Sequence, residues 1–90
     1  MVTHGYQESD FLRAYNLSFN NERIVKSAET CGCFFCLSIF SPDEVEDWVD
    51  DTGGRTALCP RCGIDSVICS GHGYPINREF LKEMKRRWFW

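Results

Sequence analysis

Two Cys-x-x-Cys pairs carry the clearest chemistry in this 90-residue chain. Cys33 and Cys36 form the first pair, Cys59 and Cys62 form the second, and residues 37–58 separate them. Two tight turns that each present two thiolates can surround one tetrahedral ion, and this spacing is typical of four-cysteine zinc sites. The sequence therefore predicts one structural Zn²⁺ held by these four cysteines.

The remaining cysteines leave one ambiguity in the ligand set. The chain has six cysteines, and Cys31 lies only two residues before Cys33. Cys31 is therefore an alternative to Cys33 as the first ligand, although the x-x spacing favours Cys33. Cys69 follows an apolar stretch, where a free cysteine usually packs as a small hydrophobic residue. The sequence leaves the role of Cys69 open.

The second pair has the composition of a metal-binding turn. Pro60 lies inside it and presets the turn, and Gly63 directly after it allows backbone amides to approach a sulfur closely. Four sulfur ligands would leave zinc no open position, and neither histidine of the chain begins a His-x-Glu motif of the kind that zinc deaminases use. The sequence therefore predicts a structural metal and no enzymatic activity.

Length and composition predict a single small protein domain. A core of this size is marginal without a metal or disulfides. The first residues lack the pattern of a signal peptide, and the chain has no apolar run of membrane-spanning length, so we expect a cytoplasmic protein with reduced thiols and no membrane association. The formal net charge of −3 disfavours general affinity for nucleic acids.

The elements needed to position the cysteines can be placed approximately. Residues 1–17 are expected to be an irregular arm, and residues 18–90 a single zinc-ribbon domain. We predict a small α+β fold in which a short antiparallel sheet carries both Cys-x-x-Cys turns, with about three flanking helices. One helix would end near residue 28, a second would begin at Ser41, and the third would span residues 77–88.

The helix predicted from Ser41 would display most of the acidic charge. Ser41 is a good N-cap, Pro42 fits the first helical position, and Glu44 completes a capping box. Residues 43–51 hold six acids and no base. A basic protein is the partner that this charge would attract. The predicted partner-binding residues are Asp43, Glu46, Asp47, Asp50 and Asp51.

The C-terminal helix offers an alternative binding surface. Lys82, Lys85 and Arg86 lie on it, and aromatic residues follow at 88–90. Basic and aromatic side chains together can bind single-stranded nucleic acid, so a nucleic-acid-binding or regulatory role is the alternative function. We expect the aromatic end to dock on the core, and anchoring of a protein partner is the alternative. Neither the partner nor the oligomeric state follows from the sequence.

Longer stretches of the sequence resemble a known group of proteins. The motifs CGCFFC at 31–36, ALCPRCGIDSV at 57–67 and GYPI at 73–76 resemble a family of small bacterial cytoplasmic proteins without an assigned activity. The resemblance implies a cytoplasmic zinc ribbon with flanking helices. Some small proteins of this kind act as immunity proteins against bacterial toxins. A toxin is therefore a candidate partner, and the acidic charge of residues 43–51 would suit a basic one.

Overall fold

The computed structural model describes residues 6–89, with the exception of the side chain of Asp51. The elements, in chain order, are α1 (Glu8–Asn16), α2 (Glu22–Ser27), β1 (Cys31–Cys33), β2 (Ile39–Phe40), a 3₁₀ turn (Pro42–Glu44), β3 (Trp48–Asp51), β4 (Gly54–Ala57), β5 (Val67–Cys69) and α3 (Arg78–Trp88). The predicted small α+β class is confirmed. Within residues 6–89, no helix combines the length and the apolar character that crossing a bilayer requires.

Within residues 6–89, five short antiparallel strands form two sheets. β1 lies in the centre of the first, in the order β2-β1-β5, and β3 pairs with β4 in a separate hairpin. Successive side chains of a strand point to opposite faces, so β1 and β5 contribute to two cores. Cys31 and Cys33 pack with α2 and β4 on one face. On the other face, Ile68 packs with residues of α1 and α3.

Gly32, in the middle of β1, allows α3 to lie directly against the sheet. A Cβ atom built at this position would approach the Leu81 side chain to 3.0 Å and the Ile76 side chain to 3.1 Å. Those contacts are tighter than ordinary van der Waals packing, so a larger residue would push the helix away. The sequence Cys-Gly-Cys thus places a close helix contact between two cysteines.

The predicted C-terminal helix is confirmed as α3. Asn77 is its N-cap, and the Asn77 side-chain oxygen accepts a hydrogen bond of 2.8 Å from the Phe80 amide. Phe80, Leu81 and Met84 are fully buried along one face, which agrees with their helical spacing. After the helix, Phe89 packs against Phe35, with 4.9 Å between the ring centroids. Trp90 lies outside the described residues.

The helix predicted from Ser41 is wrong. The capping box does form, because the Ser41 amide donates to the Glu44 carboxylate over 3.1 Å, but the helical segment is a single 3₁₀ turn. Residues 48–51 instead form β3, which pairs with β4. Trp48 and Val49 favour strands, and Gly53 has a φ of 92°, which suits the turn between β3 and β4.

The first described segment is also more regular than predicted. Residues 8–16 form α1, whereas the sequence predicts an irregular arm. The Gln7 amide donates to the Asp10 carboxylate over 3.0 Å at the start of the helix. Phe11 and Ala14 are buried, and the Phe11 ring stacks on Phe80 with 5.0 Å between centroids. The division of the chain into an arm and a domain at residue 17 remains a prediction.

Candidate metal centre

The four predicted ligand sulfurs lie together. The Sγ atoms of Cys33, Cys36, Cys59 and Cys62 all lie within 4.8 Å of one another. Cys33 and Cys62 are 3.6 Å apart, and Cys36 and Cys59 are 3.7 Å apart. A zinc ion with Zn–S bonds of about 2.3 Å would place tetrahedral sulfurs about 3.8 Å apart. The spacing of these sulfurs therefore fits a tetrahedral ion of zinc's size.

The first knuckle (residues 33–38) is a tight turn with its amides directed at a sulfur. The Leu37 amide donates to the Cys33 carbonyl over 2.9 Å, and the Cys33 amide donates to the Ser38 carbonyl over 2.9 Å. The amides of Phe35 and Cys36 lie 3.3 and 3.4 Å from the Cys33 sulfur. Amides that donate to a sulfur favour its thiolate form, which is the form that binds metals.

The second knuckle (residues 59–64) repeats these hydrogen bonds. The Gly63 amide donates to the Cys59 carbonyl over 2.9 Å, and the Cys59 amide donates to the Ile64 carbonyl over 2.9 Å. The Arg61 amide lies 3.3 Å from the Cys59 sulfur. Each knuckle therefore directs backbone donors at its first cysteine and leaves both sulfurs facing the other knuckle.

Two serines complete the surroundings of the sulfurs. The Ser66 hydroxyl lies 3.1 Å from the Cys33 sulfur and is buried, and the Ser38 hydroxyl lies 3.3 Å from the Cys36 sulfur. A serine hydroxyl can donate to a thiolate and so stabilise a metal ligand from outside the coordination sphere. Only the fold brings Ser66 to the first knuckle, so the sequence gives no sign of its role, whereas Ser38 lies two residues after Cys36 and its position could have indicated this contact.

Cys36, Cys59 and Cys62 have pKa values that differ from the ordinary value of a cysteine thiol. Burial raises the pKa of Cys36, but hydrogen bonds with Ser38 and with the neighbouring sulfurs outweigh it and lower that pKa to about 7. Burial raises the pKa of Cys62 to about 12 and also raises that of Cys59. Metal binding to this group must therefore displace protons, and metal affinity must fall as the pH is lowered.

The alternative ligand, Cys31, occupies a different place. Cys31 and Cys33 lie on the same face of β1, but Cys31 is directly opposite Cys69 on β5. The Cys31 and Cys69 sulfurs are 2.7 Å apart, and both residues are buried. The hydrogen bond with Cys31, together with burial, raises the pKa of Cys69. Among the described residues, the four-sulfur group does not include this pair.

The residues of the predicted acidic surface are not arranged on a helix. Asp43, Glu46, Asp47 and Asp50 are exposed, but they lie on the 3₁₀ turn, on β3 and between them rather than along one helix. Glu44 forms an ion pair of 2.8 Å with Arg61 of the second knuckle. The side chain of Asp51 lies outside the described part of the structure.

The basic surface predicted as an alternative lies beside the first knuckle. Lys82, Lys85 and Arg86 line a groove of about 440 Å³, together with Leu37, Phe89 and the acidic Glu83. The Lys85 ammonium lies 5.0 Å from the centre of the Phe35 ring. Arg86 forms an ion pair of 3.3 Å with Glu83, so part of the positive charge is already neutralised.

No protein family, curated protein or solved structure matches this chain. A bacterial origin, a cytoplasmic location and a role in toxin immunity therefore remain expectations from the resemblance of the motifs. The structure shows a small α+β protein in which four cysteines form a candidate metal centre.

Proposed function

We propose that the protein is a non-enzymatic, zinc-stabilised interaction module. The observation that carries this proposal is the group of four sulfurs within 4.8 Å, with two pairs at 3.6 and 3.7 Å. Four sulfurs would fill the coordination sphere of zinc and leave no position for a substrate. The zinc would then join the two knuckles, and through them both sheets, without taking part in a reaction.

Metal analysis tests the first half of the proposal. We expect one zinc per chain, with X-ray absorption showing four sulfur neighbours at about 2.3 Å. Zinc added to the metal-free, reduced chain should restore its near-ultraviolet circular dichroism and release protons. A chain that is fully folded without metal, or a zinc site with a nitrogen or oxygen ligand, would contradict this assignment.

The second half of the proposal assigns partner binding to the acidic surface. Glu44, Glu46 and Asp47 border a hollow of about 300 Å³ beside Arg61. Among residues 6–89, Glu46 and Asp47 make no ion pair, so their charge is available to a partner. A basic protein would carry the opposite charge, and such complementarity accelerates association. A basic toxin bound through its own substrate-binding surface is the partner that we propose.

Paired charge-reversal variants test this surface. The double variant Glu46→Lys and Asp47→Lys should retain zinc but lose most binding to basic proteins captured from the source cell. The control, Glu29→Lys and Glu79→Lys, changes the net charge equally away from the hollow. Quantitative mass spectrometry would identify proteins that both wild type and control retain, and titration calorimetry would then measure binding of the purified candidate. Equal retention by the two double variants would reject the acidic surface.

The groove beside α3 supports a second candidate function. Its three cations and the Phe89 ring are of the kind that binds a single strand through phosphate contacts and base stacking. Fluorescence anisotropy with a labelled oligonucleotide of about 20 nucleotides would measure this binding. Affinity should fall with added salt and fall further in a Lys82→Glu, Lys85→Glu variant. Absence of binding at low salt would eliminate this function.

A further inference from the structure

Cys31 and Cys69 form a second pair of sulfurs, separate from the candidate metal centre. The strand register places them directly opposite each other on β1 and β5, and their sulfurs lie 2.7 Å apart. Cys31 has no exposed surface, and 1% of Cys69 is exposed. Their surroundings are apolar, and they include Val25 of α2 and Phe40 of β2.

The strand geometry suits a covalent bond between them. The Ser70 amide donates to the Thr30 carbonyl over 2.9 Å, and the Phe34 amide donates to the Ser66 carbonyl over 3.0 Å. Hydrogen-bonded pairs alternate with non-hydrogen-bonded pairs along antiparallel strands, so Cys31 and Cys69 form a non-hydrogen-bonded pair. The α-carbons of such a pair lie about 4.5 Å apart, which is within the range of disulfides.

We propose that Cys31 and Cys69 form a reversible disulfide across β1 and β5. The oxidant is a small-molecule disulfide such as oxidised glutathione. In the overall reaction, the two protein S–H bonds break and one S–S bond forms. Two electrons and two protons pass to the oxidant, which is released as two thiols. The reaction leaves the four sulfurs of the candidate metal centre unchanged.

The position of this disulfide in the chain gives it a specific effect. The loop that it closes, residues 31–69, contains both knuckles. Closing a loop of this length restricts the unfolded chain, and the bond holds β1 and β5 together without help from the metal. The oxidised protein therefore retains its central strand pair after metal removal, whereas the reduced protein loses it.

Mass spectrometry of the zinc-loaded chain tests whether the bond forms. Because the pair is buried, the chain is refolded with zinc in mixtures of reduced and oxidised glutathione. It is then denatured in acid, alkylated and mapped by peptide analysis. In oxidising mixtures we expect four alkylated cysteines instead of six, a peptide that joins Cys31 to Cys69, and one zinc per chain in the undenatured sample. Six alkylated cysteines, or cross-links among knuckle cysteines with loss of zinc, would overturn the proposal.

Substitution of Cys69 distinguishes the effect of the disulfide from the effect of side-chain packing. Cys69→Ser and Cys69→Ala should each bind zinc when reduced and should show five alkylated cysteines in every glutathione mixture. A parallel measurement removes zinc with a chelator and follows amide hydrogen exchange in β1 and β5. Protection should persist in the oxidised wild type and be lost in the reduced wild type and in both variants. Equal loss of protection in the oxidised and reduced wild type would show that the bond does not hold the strands.

Discussion

The first knuckle lies between two strands that pair with each other, whereas the second lies between strands that belong to different sheets. β1 and β2, on either side of the first knuckle, are hydrogen-bonded in one antiparallel ladder. On either side of the second, β4 pairs with β3, and β5 pairs with β1. The two knuckles nevertheless have matching hydrogen bonds. The second knuckle must therefore be positioned by something other than its own ladder.

Asn21 supplies that positioning. Its side-chain amide donates to the Val67 carbonyl of β5 over 3.0 Å, and its side-chain oxygen accepts from the Ala57 amide of β4 over 3.0 Å. Asn21 is fully buried, so both bonds are shielded from water. One side chain at the start of α2 thus joins the strand that enters the second knuckle to the strand that leaves it.

The two knuckles also differ at the residue that closes each turn. Leu37 has a φ of 68° and Gly63 has a φ of 81°, so both adopt the left-handed conformation. Glycine adopts it freely, whereas a leucine pays about 1–2 kcal/mol of steric cost. Leu37 packs partly against the core on the α3 side of the sheet, which glycine could not do. The knuckle therefore requires a left-handed residue at this position. Whether that residue is leucine or glycine follows from whether an apolar surface lies beside the turn.

Loss of a ligand from either knuckle should have the largest effect. Cys36→Ser and Cys59→Ser should each abolish zinc binding and unfold the reduced chain, because metal binding and folding are coupled. Zinc content and circular dichroism under reducing conditions would measure this. A folded, zinc-loaded Cys33→Ser variant would instead indicate that Cys31 can take its place.

Removing the Asn21 amide should affect the second knuckle more than the first. Asn21→Ala leaves a buried carbonyl and a buried amide without partners, which should cost about 2–4 kcal/mol of unfolding free energy. Urea denaturation of the zinc-loaded, reduced protein would measure the loss, and hydrogen exchange should locate it in β4. Asn16→Ala, at the exposed end of α1, is the control and should change stability by less than about 0.5 kcal/mol.

Substitutions at the two closing residues should change the stability of the protein by unequal amounts. Gly63→Ala should destabilise the protein by about 1–2 kcal/mol, because a Cβ there meets nothing within 4 Å and the cost is one of backbone conformation. Leu37→Gly should change stability by less than about 1 kcal/mol, because relief of strain offsets lost packing. Urea midpoints would compare the two, and equal losses would contradict this account of the turns.

Loss of the ion pair between Arg61 and Glu44 should have the smallest effect on stability. Arg61 and Glu44 are 49% and 42% exposed in their side chains, and water screens such a pair strongly. Arg61→Ala should therefore change stability by at most about 1 kcal/mol and leave zinc content unchanged. Thermal denaturation at low and high salt would show a small, salt-sensitive difference. A loss as large as that of Asn21→Ala would mean that the pair orients the second knuckle.

Local signals account for the parts of the structure that the sequence predicts well. Asn77 and the apolar spacing after it define α3, because both signals depend on neighbours within a few residues. Each Cys-x-x-Cys pair is equally local, and two such pairs at this separation are typical of a four-cysteine metal site. Ser41 correctly indicates a helical start, but its capping box carries no information about helix length. The conformation of the residues after this turn depends on pairing between β3 and β4, where Trp48 lies opposite Ala57.

Residues that join distant segments are the ones that sequence reasoning missed. Asn21 and Ser66 are ordinary polar residues until the fold buries them beside Val67 and Cys33. α1 was missed for a related reason. Its Phe11 and Ala14 have helical spacing, but they fill only part of one face, and contact with Phe80 of α3 completes their burial.

The close contact between Gly32 and α3 couples the position of this helix to the position of the neighbouring cysteines. Gly32 sits between Cys31 and Cys33 on the central strand, at the point where Leu81 presses on the opposite side. A methyl group at residue 32 would clash with Leu81. The clash would displace the backbone of β1, which also carries the Cys33 sulfur. A helix that supplies no ligand would in this way influence how tightly a metal ion at the four sulfurs would bind.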